Sequence, residues 1–175
     1  LPYQHGFAPT LWKKMTDVEL LKKAMVYDVT KMRTILLLNS EFNINNKKLA
    51  RDVMKQVEAL NLIPREQYGS RKHLQAISAA LNKRLTMDLL RQRRQAGALC
   101  SNDAKSCYDR IVHVFAILCM LKFGVQPQPL ISMFRCLQEA KDKIRTAYGN
   151  STNTYGGNRN VPLQGVGQGN GCGPA

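Results

Sequence analysis

The segment Ala98-Leu99-Cys100-Ser101-Asn102-Asp103-Ala104-Lys105-Ser106-Cys107-Tyr108-Asp109-Arg110 constrains this chain more than any other. A short apolar run enters it and an apolar helical pattern leaves it, which predicts a strand-to-helix turn. The turn carries two aspartates six positions apart, Asp103 and Asp109, with Tyr108 just before the second. A carboxylate at the end of a strand suits a divalent cation. Mg²⁺ takes one or two protein carboxylates and fills its shell with waters and substrate phosphates. The plain alternative is a helix N-terminus, where aspartate complements the macrodipole. Spacing alone does not separate the two.

A second feature follows further along: Gly165-Val166-Gly167-Gln168-Gly169-Asn170-Gly171-Cys172-Gly173-Pro174. It lacks the Gly-Lys-Ser/Thr ending of a P-loop and does not fit Gly-x-Gly-x-x-Gly before a helix. On its own it reads as a flexible loop whose glycines permit close backbone approach.

Taken together, the two segments carry a resemblance. Asp103 to Asp109 resembles the first catalytic motif of reverse transcriptases: an aspartate, four residues, an aromatic, then often a second aspartate. Gln168-Gly169, with Gly173-Pro174 after it, resembles the next motif, a Gln-Gly loop ending in Ser-Pro. Order and distance both fit. The chain is similar above all to polymerases of non-LTR retrotransposons, with group II intron enzymes more distant, over roughly Leu20 to Ala175.

The resemblance implies an RNA-directed DNA polymerase that adds deoxynucleotides to a primer 3′-hydroxyl with two Mg²⁺ ions. Its partners would be an RNA or DNA template-primer and a dNTP, with no organic cofactor and no membrane; oligomeric state is left open. Asp103 would be the catalytic metal ligand. Asp109 would either touch metal or orient the loop. Tyr108 would stand beneath the sugar, and Gln168 and Gly169 would line the template-nucleotide pair. Lys23 and Arg33 match the fingers cations that reach the triphosphate, with Thr34 in place of the usual proline. Glu66-Gln67-Tyr68-Gly69-Ser70-Arg71-Lys72 resembles the family's Gln-aromatic-Gly-x-Arg segment along the template path, which brings in Arg71 and Lys72. Gly167 and Gly173 stand where the family often has proline and serine, so a more mobile loop is expected.

One part of the pattern is missing. The family draws its other metal-binding carboxylates from an Asp-Asp pair on a later hairpin, and this sequence holds no adjacent Asp-Asp. The chain is therefore expected to be a truncated piece of a longer protein and inactive by itself. The expected organisation is an irregular lead-in over 1–19, a fingers-like region over 20–97 and a partial palm over 98–175. The expected fold is α+β, helix-rich with a small incomplete antiparallel sheet.

Charge agrees with a polyanionic partner. Lys and Arg number 26 against 12 Asp and Glu, a net +14, and a field of that sign attracts nucleic acid. No run approaches the ~18 apolar residues of a membrane span. The five cysteines are scattered without CxxC or zinc spacing, which points to a reducing compartment. An intracellular protein of nucleus or cytoplasm, not a secreted one, is expected.

Along the chain, Trp12 reads as a packing anchor. Leu20 to Lys23 and Lys31 to Leu38 predict a hairpin with Tyr27-Asp28 near its turn, although Ile35 to Leu38 suits a strand or a buried helix alike. Lys22 and Lys23 also fit a solvated face. Asn45 to Leu60 predicts a helix capped by Asn45 or Asn46, with Leu49, Val53, Val57 and Leu60 as its apolar stripe. Ser70 is the expected cap of a long helix reaching Gln95, striped by Leu74, Ile77, Leu81, Leu85 and Leu89. Arg91, Arg93 and Arg94 at its end either complement the dipole or contact template or primer. A well-buried helix is expected from Asp109 to Phe123, with His113 structural, and a further helix from Pro127. Lys143 to Tyr148 and a segment ending at Val161-Pro162 predict a last pair of strands. Two other readings fit the composition: a non-catalytic nucleic-acid-binding remnant of a retroelement, and a helical structural protein whose aspartates are caps.

Overall fold

Asn39 starts the longest helix of the computed structural model, which describes residues 1–26, 28–158 and 163–174. Its side-chain Oδ1 accepts from the N–H groups of Glu41 and Phe42 at 3.0 and 3.3 Å, satisfying donors that the first turn leaves open. Helix α2 (Ser40–Ala59) follows. The cap therefore lies upstream of the expected Asn45 or Asn46, and Asn46 is instead buried in the helix interior face. Phe42, Leu49, Ala50, Val53 and Val57 share that face and form the core.

Trp12 is buried against Phe42, ring centroids 5.5 Å apart, and its Nε1 donates to Glu41 at 3.2 Å. It is the packing anchor the sequence suggests. Truncating Phe42 to alanine would cost on the order of 3–5 kcal/mol. The other wall of the core is α5 (Pro127–Gln138), which opens on proline and buries Leu130, Met133, Phe134, Cys136 and Leu137. The N-terminal stretch is not irregular. It forms a short helix, α1 (Pro2–His5), which packs on α5, and a 3-10 turn at Thr10–Lys13. Ser132 Oγ donates to the Phe7 carbonyl at 2.7 Å and ties the two together.

The sheet is built on the hairpin of β1 (Lys14–Leu21) and β2 (Met32–Leu37), paired antiparallel. β1 begins well upstream of the expected Leu20. The expected turn residue Tyr27 lies outside the described residues. β3 (Lys141–Thr146) pairs with the other edge of β1 in parallel, so the sheet is mixed, not antiparallel as expected. A parallel neighbour needs a long crossover, and α2 to α5 lie between β1 and β3 in the chain. β4 (Gly149–Asn150) and β5 (Tyr155–Gly156) pair antiparallel with the outer edge of β3. The expected strand end at Val161-Pro162 lies outside the described residues. The fold class is α+β.

Two helices depart from expectation. α3 (Ala76–Gln92) buries no residue, and its stripe of Ile77, Leu81, Leu85 and Leu89 is exposed, Ile77 to 72 %. Ser70 does not cap it; the helix begins after Gln75. α4 (His113–Lys122) is not well buried. His113 is covered, and Ala116, Ile117 and Met120 lean on the core, while Val114, Phe115 and Leu118 face outward. A helix apolar on every side has only one side to give to a core this size. No helix is long and apolar enough to cross a membrane among the described residues.

Candidate functional site

The two sequence motifs meet. The Val166 N–H donates to the Tyr108 carbonyl at 2.9 Å and the Gly165 N–H to the Ile111 carbonyl at 3.0 Å. His113 Nε2 donates to the Gly165 carbonyl at 2.6 Å. Gly165 has φ +84°, and a Cβ there would stand 2.7 Å from the Tyr108 carbonyl oxygen and 2.8 Å from Asp109 Cα. Only glycine allows that approach. Burial holds the His113 imidazole below its usual pKa, while the bond to Gly165 works the other way.

The remainder of the glycine-rich segment is pinned to β2 and α2. The Leu36 N–H donates to the Gln168 carbonyl at 2.8 Å, so the Gln-Gly loop covers the outer edge of β2. Asn43 grips it twice. Its Nδ2 donates to the Gly169 carbonyl at 3.2 Å, and its Oδ1 accepts from the Gly171 N–H at 2.7 Å. Buried Asn170 accepts from Asn46 Nδ2 at 2.9 Å and from the Cys172 N–H at 3.0 Å, and Tyr3 donates its hydroxyl to Asn46. These bonds tie the loop to β2 and α2 at several points.

A cleft of about 300 Å³ opens between this loop and the sheet. Asp17 of β1, Asp142 of β3 and Asp109 line it, with Thr34, Gln164 and Gln168. Asp17 is 6 % and Asp142 4 % exposed, and Asp142 Oδ1 has no hydrogen-bond partner among the described residues. Burial, with the charge of Asp17 beside it, pushes the Asp142 carboxyl up to about 7. Burial, with Glu19 and Asp109 adding, pushes Asp17 up to about 6. Desolvation and a like charge both favour the neutral acid, so this pair takes up and releases protons near neutral pH.

The expected residues are brought together only in part. Tyr108, Asp109, Gln168 and Gly169 are brought together at the loop and cleft. Tyr108 is half-buried against Gly173. Asp103 is not among them. It lies exposed in an irregular segment, because Ala98-Leu99-Cys100 forms no strand. That run pairs with no strand of the sheet: β2 and β3 flank β1, β4 and β5 pair with β3, and the Gln168 carbonyl takes the Leu36 N–H of β2. Lys23 is exposed just beyond β1, and Arg33 is exposed on β2. Arg71 turns inward, its Nε donating to Glu58 at 3.2 Å and its Nη1 to the carbonyls of Pro64 and Gln67. Lys72 lines a groove of about 1210 Å³ along α2, with Lys47, Arg51 and Lys55 opposite. Arg91 pairs with Asp88 at 3.3 Å, and Arg93 and Arg94 are exposed beyond α3.

Sequence reasoning missed Asp17, Asp142 and the Asn43, Asn46 and Asn170 clasp. Val18, Glu19 and Leu20 alternate apolar and polar after Asp17, a short strand signal that does not single out Asp17 itself. The asparagines carry none, since their pairing joins residues far apart in the chain.

The two Mg²⁺ ions that the resemblance implies need several carboxylates converging on one point. Among the described residues no three His, Cys, Asp or Glu side chains gather to hold a metal, and Asp103 is not among the residues that line the cleft. The donors among the described residues do not fit a two-metal centre. No protein-family model and no curated protein matches the chain.

Proposed function

We propose that this chain is the fingers and partial palm of a reverse transcriptase of the non-LTR retrotransposon kind, contributing Asp103 and the Gln-Gly loop to a centre that other carboxylates complete. The observation that carries the reading is the pairing of Tyr108 with Val166 and of Ile111 with Gly165. Two segments that resemble consecutive catalytic motifs, far apart in sequence, are hydrogen-bonded neighbours. In this reading Gln168 and the backbone of Gly169 present a polar rim to the base pair being formed. The basic groove along α2, bounded at one end by Gly171 and Pro174 and lined by Lys72, takes the template backbone. Lys23 serves the triphosphate, while Arg33 projects from the sheet face turned away from the cleft.

In this reading the chain alone extends no primer, because the Asp-Asp pair of the family's pattern is not in its sequence. The test is the coding sequence past Ala175. The reading expects an aromatic-x-Asp-Asp between two short apolar runs. A frame that continues without one overturns the polymerase reading.

A second reading, a non-catalytic nucleic-acid-binding remnant, is favoured by the exposed, irregular setting of Asp103. It differs in one outcome: substituting Asp103 changes no activity of the full protein.

A further inference from the structure

Strand register sorts the sheet's charges by face. Side chains alternate along a strand, and paired residues on neighbouring strands project to the same side. Lys14 is paired with Lys141, Thr16 with Lys143 and Val18 with Arg145; Leu20 is paired with Arg33. Lys14, Arg33, Lys141, Lys143 and Arg145 therefore share one face. Asp17, Glu19 and Asp142 share the other, toward the cleft. No Asp or Glu stands on the basic face in β1, β2 or β3. All five cations are exposed, and none enters an ion pair among the described residues.

Such an arrangement is costly without a counter-charge. Like charges directly opposite on adjacent strands destabilise the pairing, as Lys14 and Lys141 must. Alternate residues of β3 lie about 6.6 Å apart and adjacent strands about 4.8 Å apart, within the roughly 8 Å screening length of physiological salt. The charges therefore act as one field. At the turn that leaves β3, the ring of Tyr148 is 98 % exposed. A row of cations on a strand that ends in a turn with an exposed aromatic supplies the two elements that hold single-stranded nucleic acid, phosphates on the cations and a base on the ring.

We propose that the outer face of this sheet binds single-stranded nucleic acid, with Lys141, Lys143 and Arg145 on the backbone and Tyr148 stacked on a base. The face is separate from the groove along α2, and it rests on the polymerase reading only for the class of its partner.

Fluorescence anisotropy of a labelled oligothymidylate, titrated with the whole chain at several salt concentrations, tests it. The variants are K141Q/K143Q/R145Q, K14Q/R33Q, Y148A and, in the groove, K47Q/R51Q/K55Q. Each phosphate that a variant no longer neutralises lowers the slope of log K against log salt by about 0.7, so the β3 triple variant is expected to lower it by about 2. Y148A is expected to weaken binding about fivefold or more. K14Q/R33Q, which leaves β3 untouched, is expected to lower the slope by about 1. If the groove variant alone loses affinity, while both sheet variants keep the wild-type slope, the face is overturned and the nucleic-acid reading stands. If the wild-type chain binds no oligonucleotide, both fall. Tighter binding of a duplex of equal length, insensitive to Y148A, overturns the single-strand assignment.

Discussion

Asp17 and Asp142 stand on one face of adjacent parallel strands, a step out of register. Met15 is the partner of Asp142, and Asp17 that of Ile144. Both are buried, which raises the proton affinity of each, and the charge of Asp17 raises that of Asp142 further. Their folded pKa values, about 6 and about 7, lie above the usual carboxylate value of 3.8. The folded chain thus holds more protons than the unfolded chain between these limits. The pair's contribution to stability is fully present below about pH 4 and is lost as pH rises through 6 to 7. His113 opposes it, since its pKa is lowered by burial and its contribution is lost as pH falls below about 6.5. Asp142→Asn should raise stability at pH 8 by on the order of 2 kcal/mol and leave it little changed at pH 4. Urea unfolding at the two pH values checks this; equal effects at both would contradict the buried pair.

The Gln-Gly loop predicts a contrast between two glycines. Gly169 has φ +129°, and a Cβ there would sit 2.3 Å from the Leu36 carbonyl oxygen, which cannot yield without breaking the edge of β2. Gly149 has φ +122° with nothing within 4 Å. Gly149→Ala should cost about 1–2 kcal/mol from backbone strain alone. Gly169→Ala should cost more, about 3 kcal/mol or above, and free the loop to proteolysis near Gln168. Denaturant midpoints and limited proteolysis separate the two.

The asparagine clasp predicts loss out of proportion to size. Asn170→Ala leaves Asn46 Nδ2 and the Cys172 N–H without their acceptor in a buried setting. A cost of about 1–3 kcal/mol for each unsatisfied group is expected. Asn170→Asp keeps the acceptor for both and should recover part of it. A variant as stable as wild type would show that the loop does not lean on the clasp.

α3 should be the first element to open. It carries an apolar stripe but buries none of it, and a helix without tertiary cover is marginal in water. Amide hydrogen exchange across Ala76–Gln92 should be orders of magnitude faster than at Val53 and Val57 of α2. Equal protection would mean that α3 is packed against something.

What the sequence made legible was local. The cap chemistry, the stripe of Leu49, Val53 and Val57, the proline start at Pro127 and the hairpin strand from Met32 follow from periodicity and stereochemistry that neighbouring residues carry. The cap was misplaced because Asn39, Asn45 and Asn46 are equally good caps and only the side-chain bonds of Asn39 decide among them. The parallel pairing of β1 with β3 was not legible, since it joins Lys14 to Lys141 across the whole chain. Asp17 and Asp142 were missed for the same reason. The strand expected at Ala98-Leu99-Cys100 does not form, because a short apolar run becomes a strand only where it finds a pairing partner, and that is a property of the entire sheet.

In the polymerase reading, Asp103 belongs to a centre completed beyond this chain. Primer extension on an RNA template with Mg²⁺, using the protein translated past Ala175, tests it directly. Wild type should incorporate deoxynucleotides, Asp103→Asn should lose at least about a hundredfold in rate, and the 175-residue chain alone should extend nothing. Extension unchanged by Asp103→Asn, or achieved by the 175-residue chain alone, would contradict that reading.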